Sequence, residues 1–143
     1  MMANCIAYKA GYEYQLKHEY CIDIEVRPEQ LIDIPYLTLT PEGKLTVKVG
    51  YAWDGPSGPT IDTLNFMRGS LVHDALYQLM RERQLDHEKY RELADRLLQK
   101  MCREDGMSAI RAWIVYHGVR LGGGPSADPA NDRPIVYAPR QCV

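Results

Sequence analysis

The fold is decided by the segment Leu71-Val72-His73-Asp74-Ala75-Leu76-Tyr77-Gln78-Leu79-Met80. Its apolar residues recur at intervals of three and four, which is the period of an amphipathic α-helix. The same period runs from Tyr90 to Cys102, and residues 84 to 86 interrupt it, with Asp86 as the expected cap of the second helix. The pattern therefore predicts an antiparallel helical hairpin.

Upstream of this hairpin the periodicity is that of β-strands. Leu45, Val47 and Val49 alternate with polar residues, and the turn sequence Pro41-Glu42-Gly43 precedes them. Residues 34 to 50 are therefore predicted to form an antiparallel β-hairpin with one buried face. Short runs rich in Tyr and Ile before it indicate further strands.

Downstream of the hairpin, a third helix is predicted to begin near Ser108 and to end at Gly122-Gly123-Gly124-Pro125. The tail that follows has little periodicity and is expected to be an irregular arm. The sequence thus predicts one α+β domain with an N-terminal antiparallel sheet, a helical hairpin and a third helix. Its parts are the β-rich residues 1–50, a site loop 51–63, the helical residues 64–121 and the arm 122–143.

Composition excludes several classes of function. The chain has 143 residues, is 45% hydrophobic and 25% charged, and carries a net charge of -2. Binding of nucleic acid would call for clustered Lys and Arg, so no nucleic-acid partner is expected. No apolar run approaches the roughly 20 residues of a membrane-spanning helix. The first residues lack the basic and apolar regions of a signal peptide, so none is expected.

The cysteines give no sign of a structural metal or a disulfide framework. They are far apart and match no zinc spacing; the four are Cys5, Cys21, Cys102 and Cys142. With no signal peptide expected, reduced thiols are favoured over two disulfides.

The two predicted helices bring a histidine and a carboxylate to the same height. If their turn centres near Leu85, then His73 and Asp95 lie within about two residues of one level, or roughly 3 Å along the axis. Asp95 could then accept a hydrogen bond from one ring nitrogen of His73, which would fix the tautomer and stabilise the imidazolium. A histidine supported in this way is suited to proton abstraction.

An acidic loop precedes the helices. The segment Trp53-Asp54-Gly55-Pro56-Ser57-Gly58-Pro59-Thr60 combines a carboxylate with residues that expose backbone carbonyls. Such oxygens suit a hard cation. The same composition also fits a plain connection between a strand and a helix, so this alternative stays open. Asp62 and Asn65 are predicted to cap the following helix.

These residues carry a resemblance to a known enzyme family. His73-Asp74-Ala75-Leu76-Tyr77 resembles the His-Asp-x-x-Tyr helix of secreted phospholipases A2, and Asp95 falls at a spacing like that of their second-helix aspartate. The segment Asp54-Gly55-Pro56-Ser57 is similar to the Asp-Gly-Cys-Ser of the small prokaryotic members. The resemblance covers roughly residues 50 to 102. The cysteines that link the phospholipase helices are absent.

The resemblance implies a calcium-assisted ester hydrolase. His73 would be the general base, Asp95 would orient it, and Tyr77 would support Asp95 through its hydroxyl group. Asp74 would be a calcium ligand, and Asp54 is the candidate ligand in the loop. Calcium would polarise the ester carbonyl and stabilise the oxyanion. A lipid or another ester is the implied substrate.

A second resemblance points to a different class of function. The chain is similar, over about residues 10 to 121, to an uncharacterised domain family of tailed phages and prophages. This resemblance implies a phage-associated protein located in the host cytoplasm or in the virion. The alternative to an enzyme is then a virion component or host-interaction protein. Its partners would be phage structural proteins, or a second copy of the chain bound through the C-terminal arm. In that case the His-Asp-Tyr-Asp set would be a structural polar network.

Overall fold

The structure of the chain is a computed structural model that describes residues 14–54 and 64–132, together with the backbone of two short strands. The strands are β1 (Ile6–Tyr8), β2 (Tyr14–Gln15), β3 (Tyr20–Asp23), β4 (Ile32–Ile34), β5 (Leu37–Leu39), β6 (Lys44–Val47), β7 (Ala52–Trp53) and β8 (Val136–Ala138). The helices are α1 (Leu64–Arg81), α2 (His87–Glu104), α3 (Ala109–Gly122) and the single-turn α4 (Gly124–Ala127), followed by a 3-10 turn at Pro129–Asn131.

The main sheet is antiparallel with the order β3-β6-β5-β4. Strands β5 and β6 pair with Leu37 opposite Val47 and Leu39 opposite Leu45, which confirms the predicted hairpin. All four of these side chains are fully buried, so they form the sheet's contribution to the core. Gly43 closes the turn with φ +92, a conformation that few other residues adopt.

The predicted buried face of β6 is wrong at its last residue. Val49 has 54% of its surface exposed, whereas Leu45 and Val47 are buried. The physical reason is that the strand ends at Val47, after which Lys48 donates a backbone hydrogen bond to Tyr36 and Gly50 turns with φ +94. The alternation in the sequence therefore extends beyond the strand.

The helical hairpin forms as predicted. Asp86 caps α2 by accepting a hydrogen bond from the backbone N–H of Glu88 at 3.0 Å. The two helices pack closely at Gly69, where a Cβ atom would lie 3.0 Å from Cδ1 of Leu98 and 3.3 Å from Sγ of Cys102. A glycine at this position lets the two backbones approach, and this contact sets the height at which α1 and α2 face each other.

Helix α3 packs against α2 but buries little of itself. It begins at the predicted cap, since Ser108 accepts from the backbone N–H of Arg111. Ala112 is its one buried residue. An exposed apolar stripe runs along α3, with Ile110 at 74%, Trp113 at 56%, Ile114 at 57% and Leu121 at 90% of their surface accessible.

The chain beyond α3 returns to the body of the protein. Helix α4 packs against α1, and β8 pairs with β1 in an antiparallel ladder. The structure thus contains antiparallel strands in separate sheets, three long helices and a short irregular end, which confirms the predicted α+β class. In the described part of the chain, no helix is both long and apolar enough to cross a membrane.

Candidate functional site

The centre of the site is a contact between α1 and α2. Nε2 of His73 lies 2.7 Å from Oδ1 of Asp95, so the contact predicted from the level of the two helices is present. His73 has 7% of its surface exposed and Asp95 has none. Two groups that can both carry charge are therefore removed from water together, which requires further partners.

Asp95 obtains those partners from α1 and α3. The hydroxyl of Tyr77 donates to Oδ1 at 2.6 Å, and Nη1 of Arg120 donates to Oδ2 at 3.0 Å. Burial raises the pKa of Asp95, but the hydrogen bonds from His73 and Tyr77, together with Arg120, outweigh it and lower the pKa below its usual value. Asp95 is therefore a carboxylate near neutral pH.

An ionised Asp95 decides the tautomer of His73. A carboxylate can only accept hydrogen bonds, so Nε2 of His73 carries the proton and donates it. The other ring nitrogen, Nδ1, lies 4.0 Å from Oδ1 of Asp74. Burial lowers the pKa of His73, but the carboxylates of Asp74 and Asp95 outweigh it, and the pKa lies above its ordinary value.

Arg91 holds the network to the end of α3. Its Nε donates to the hydroxyl oxygen of Tyr77 at 3.2 Å, and its Nη2 donates to the carbonyls of Val119 and Arg120 at 2.9 and 2.8 Å. These carbonyls belong to the last turn of α3, and the Val119 carbonyl also accepts from the backbone N–H of Gly123 at 2.8 Å. Burial and Asp95 raise the pKa of Tyr77, so its phenol stays protonated as a donor.

A glycine allows the chain to pass this network. A Cβ atom on Gly123 would lie 2.8 Å from the hydroxyl oxygen of Tyr77 and would also collide with the carbonyl of Val119. The junction between α3 and α4 can therefore lie against Tyr77 only because residue 123 has no side chain.

His73 also faces a cleft of about 440 Å³. One wall is strand β7 with Trp53, continued by Asp54, and another is α1 with His73, Asp74 and Tyr77. The third wall is the inner side of α3, which contributes mainly apolar or small residues: Ile114, Val115, Gly118, Val119 and Gly122. The histidine thus connects a buried carboxylate on one side with a space of ligand size on the other.

The indole of Trp53 is fixed in this cleft. Its Nε1 donates to Oγ of Ser70 at 3.2 Å, and Ser70 in turn donates to the carbonyl of Met67 at 2.9 Å. Trp53 also packs against the ring of Tyr51, with 6.5 Å between centroids. This wall is therefore held by both polar and aromatic contacts.

The predicted calcium ligands lie on the same cleft. Asp54 and Asp74 are both half-buried and both line it. Loop residues 55–63, including the predicted cap Asp62, lie outside the described residues. Among the residues that are described, no three His, Cys, Asp or Glu side chains are grouped to hold a metal ion. A cation here would thus need backbone oxygens in addition to the two carboxylates, which is common for calcium.

Two arginines of the site were not among the predicted site residues. Arg91 precedes Asp95 by one helical turn, and its Nε lies 3.9 Å from Oδ2, so the i,i+4 spacing was a usable signal. Arg120 had none, because its contact with Asp95 depends on how α3 packs. Cys21 and Cys102 are free, and Cys5 and Cys142 lie outside the described residues.

The family of the chain is identified by a match over residues 31–119 to a family described as "Protein of unknown function (DUF1353)". This match covers more than half of the 143 residues, and the chain belongs to this family. The matched range contains His73, Tyr77, Arg91 and Asp95 and ends just before Arg120. No curated protein and no solved structure matches the chain.

Proposed function

We propose that this member of the DUF1353 family is a hydrolase of lipid or related esters, with His73 as its general base. The observation that carries the proposal is the position of His73 between the buried Asp95 and the cleft. One ring nitrogen is held by a carboxylate at 2.7 Å, and the ring lines a space large enough for a ligand. This arrangement is that of an activated base.

The proposed chemistry begins with water bound beside Nδ1 of His73. As the oxygen attacks the ester carbonyl carbon, Nδ1 takes a proton from the water, and Asp95 stabilises the resulting imidazolium through Nε2–H. The tetrahedral intermediate then collapses, the carbon–oxygen bond to the alcohol breaks, and the same proton passes from Nδ1 to the leaving alkoxide. Tyr77 and Arg120 hold Asp95 in place throughout.

The two carboxylates of the cleft are the proposed calcium ligands. Asp54 and Asp74 would hold the ion together with backbone oxygens, and a bound calcium would polarise the ester carbonyl. The fit is supported by their shared position on the cleft, and backbone oxygens would complete the ligand set.

The walls of the cleft favour an ester with an apolar acyl group. The inner side of α3 lines the cleft with Ile114, Val115 and Val119, and Phe66 and Leu98 add to it from the helical hairpin. An acyl chain would bury apolar surface there, which contributes roughly 25 cal/mol per Å². A phospholipase A2-like activity fits these walls as well as the base.

A second candidate function is structural, in a phage virion component or a host-interaction protein. One observation favours it: the fully buried Asp95 joins residues of α1, α2 and α3 in one network, as a group that fixes a fold would do. The exposed apolar stripe of α3 and the C-terminal arm would then bind phage proteins or another copy of the chain.

An assay on three proteins separates the two functions. Calcium is titrated while the hydrolysis of a short-chain phosphatidylcholine and a simple ester is followed with wild type, His73→Ala and His87→Ala. His87 is a matched control because it begins α2 and does not line the cleft. If the protein is a hydrolase, we expect turnover in wild type and His87→Ala and its loss in His73→Ala. The absence of His73-dependent turnover on both substrates would favour the structural reading.

A further inference from the structure

One cationic side chain of the cleft has no counterpart in the proposed chemistry. Arg81 is the last residue of α1 and lines the cleft. His73, Tyr77 and Arg81 are spaced by four residues each, so they lie along one face of α1. The helix thus presents a base and a guanidinium to one cleft from backbone positions about 12 Å apart along its axis.

The donors of Arg81 are only partly satisfied. Its Nη1 donates to the carbonyl of Ser126 in α4 at 2.8 Å. Its Nε is buried and has no hydrogen-bond partner among the described residues. A buried donor without a hydrogen bond raises the free energy of the folded state, and the penalty is larger for a charged arginine donor than for a neutral one. Because Nε has no exposed surface, a ligand oxygen in the cleft would bind the Nη atoms of the same guanidinium.

No carboxylate in the described part of the chain neutralises Arg81. Several other arginines near the helices differ: Arg68 pairs with Asp105 at 2.9 Å, Arg96 with Glu92 at 2.6 Å, and Arg120 with Asp95 at 3.0 Å. Exposed arginines such as Arg83 and Arg111 also lack a carboxylate partner among the described residues, but they do not line the cleft. Arg81 does line it, and its fork geometry suits a phosphate or carboxylate group.

We propose that Arg81 forms an anion-binding subsite of the cleft, which takes the phosphate group of an anionic amphiphile. The acidic side chains Asp54 and Asp74 lie toward the His73 end, so a phosphate at Arg81 is displaced from them along α1. The apolar wall of α3 lies beside the same space and accepts the hydrocarbon part. Assigning this ligand as substrate rests on the proposed hydrolase function, whereas the binding itself does not.

Hexyl phosphate is the probe that tests the subsite, with inorganic phosphate and hexanol as its two halves. Calorimetric titrations compare wild type with Arg81→Gln, Arg81→Lys and Arg83→Gln. Arg83 is a matched control because it is exposed, does not line the cleft and carries the same charge. Wild type is expected to bind hexyl phosphate, and Arg81→Gln to bind it on the order of tenfold more weakly or worse. Arg81→Lys should fall between them, and Arg83→Gln should match wild type.

Several results would overturn the subsite. These are a failure of wild type to bind hexyl phosphate, an equal affinity in Arg81→Gln, or an equal loss in Arg83→Gln. Binding of inorganic phosphate as tight as that of hexyl phosphate would overturn the amphiphile as the ligand. The titration is repeated with His73→Ala, where binding is expected to persist. Loss of hydrolysis and loss of anion binding are therefore separate outcomes.

A second measurement follows binding in wild type, so it does not depend on whether Arg81→Gln folds. The Nε–H resonances of arginines are followed by heteronuclear NMR in wild type during addition of hexyl phosphate, and the Arg81 resonance is assigned from its absence in Arg81→Lys. The Arg81 Nε–H is expected to shift with saturation while that of Arg68, already bound to Asp105, stays in place. An unmoved Arg81 resonance at saturating probe would contradict the proposal.

Discussion

Nε2 of His73 lies 2.7 Å from Oδ1 of Asp95, although the two residues belong to different helices and both are almost wholly removed from solvent. The contact makes the helical hairpin and the proposed base a single structural unit. Asp95 cannot be changed without affecting both, since Tyr77 and Arg120 bond the same carboxylate.

Asp95→Asn is expected to lower the free energy of unfolding by about 3–5 kcal/mol, because it leaves buried His73 and Arg120 without their anion. Urea denaturation measures the change. Glu92→Gln is the matched control on the same helix, since Glu92 pairs with exposed Arg96, and it should stay within about 1 kcal/mol of wild type. An equal effect of the two substitutions would contradict the role of the network.

The contribution of Asp95 to the free energy of unfolding should decrease at low pH. Its pKa is lowered in the folded protein, so it stabilises the fold above its unfolded pKa of about 3.9, and this contribution is lost as pH falls through the folded pKa. The difference in unfolding free energy between wild type and Asp95→Asn should be constant from about pH 6 to 5 and shrink below about pH 4. His73 is protonated throughout this range because its pKa is raised. A difference that grows on acidification would be the wrong sign.

Gly123→Ala should destabilise the protein by about 1–3 kcal/mol. The new Cβ atom would lie 2.8 Å from the Tyr77 hydroxyl oxygen, so the junction between α3 and α4 would have to move. Gly118→Ala is the control in the same region, where a Cβ meets nothing within 4 Å. Within a helix this control should be neutral or stabilise by up to about 1 kcal/mol. Thermal unfolding of both variants measures the contrast.

Asp74→Asn is expected to weaken calcium binding and calcium-dependent turnover together, because one of the two cleft carboxylates is lost. Asp86→Asn is the control, since it keeps a helix cap and lies outside the cleft. Calcium affinity is measured by titration calorimetry and turnover by release of fatty acid. Unchanged calcium affinity in Asp74→Asn would remove this residue from the metal site.

Much of the hairpin could be predicted from the sequence, because periodicity and level depend on local chain geometry. The common level of His73 and Asp95 follows from helix rise once the turn is placed near Leu85, and the contact also needs both residues on facing sides of the hairpin. Arg120 and the cleft could not be predicted, since both depend on how α3 packs against the hairpin. The predicted burial of Val49 was wrong because the alternation in the sequence continues past the end of the strand. The strand ends where the backbone of Lys48 donates a hydrogen bond to Tyr36, and Val49 is exposed.

The central claim is that His73 acts as a base in the cleft, and the most direct measurement is the rate of fatty-acid release by wild type and His73→Gln in calcium. Circular dichroism establishes that both are folded. The account predicts that kcat/KM falls by at least about a hundredfold in His73→Gln, and that wild-type activity rises with pH through the raised pKa of His73. Equal release by the two folded proteins would contradict it.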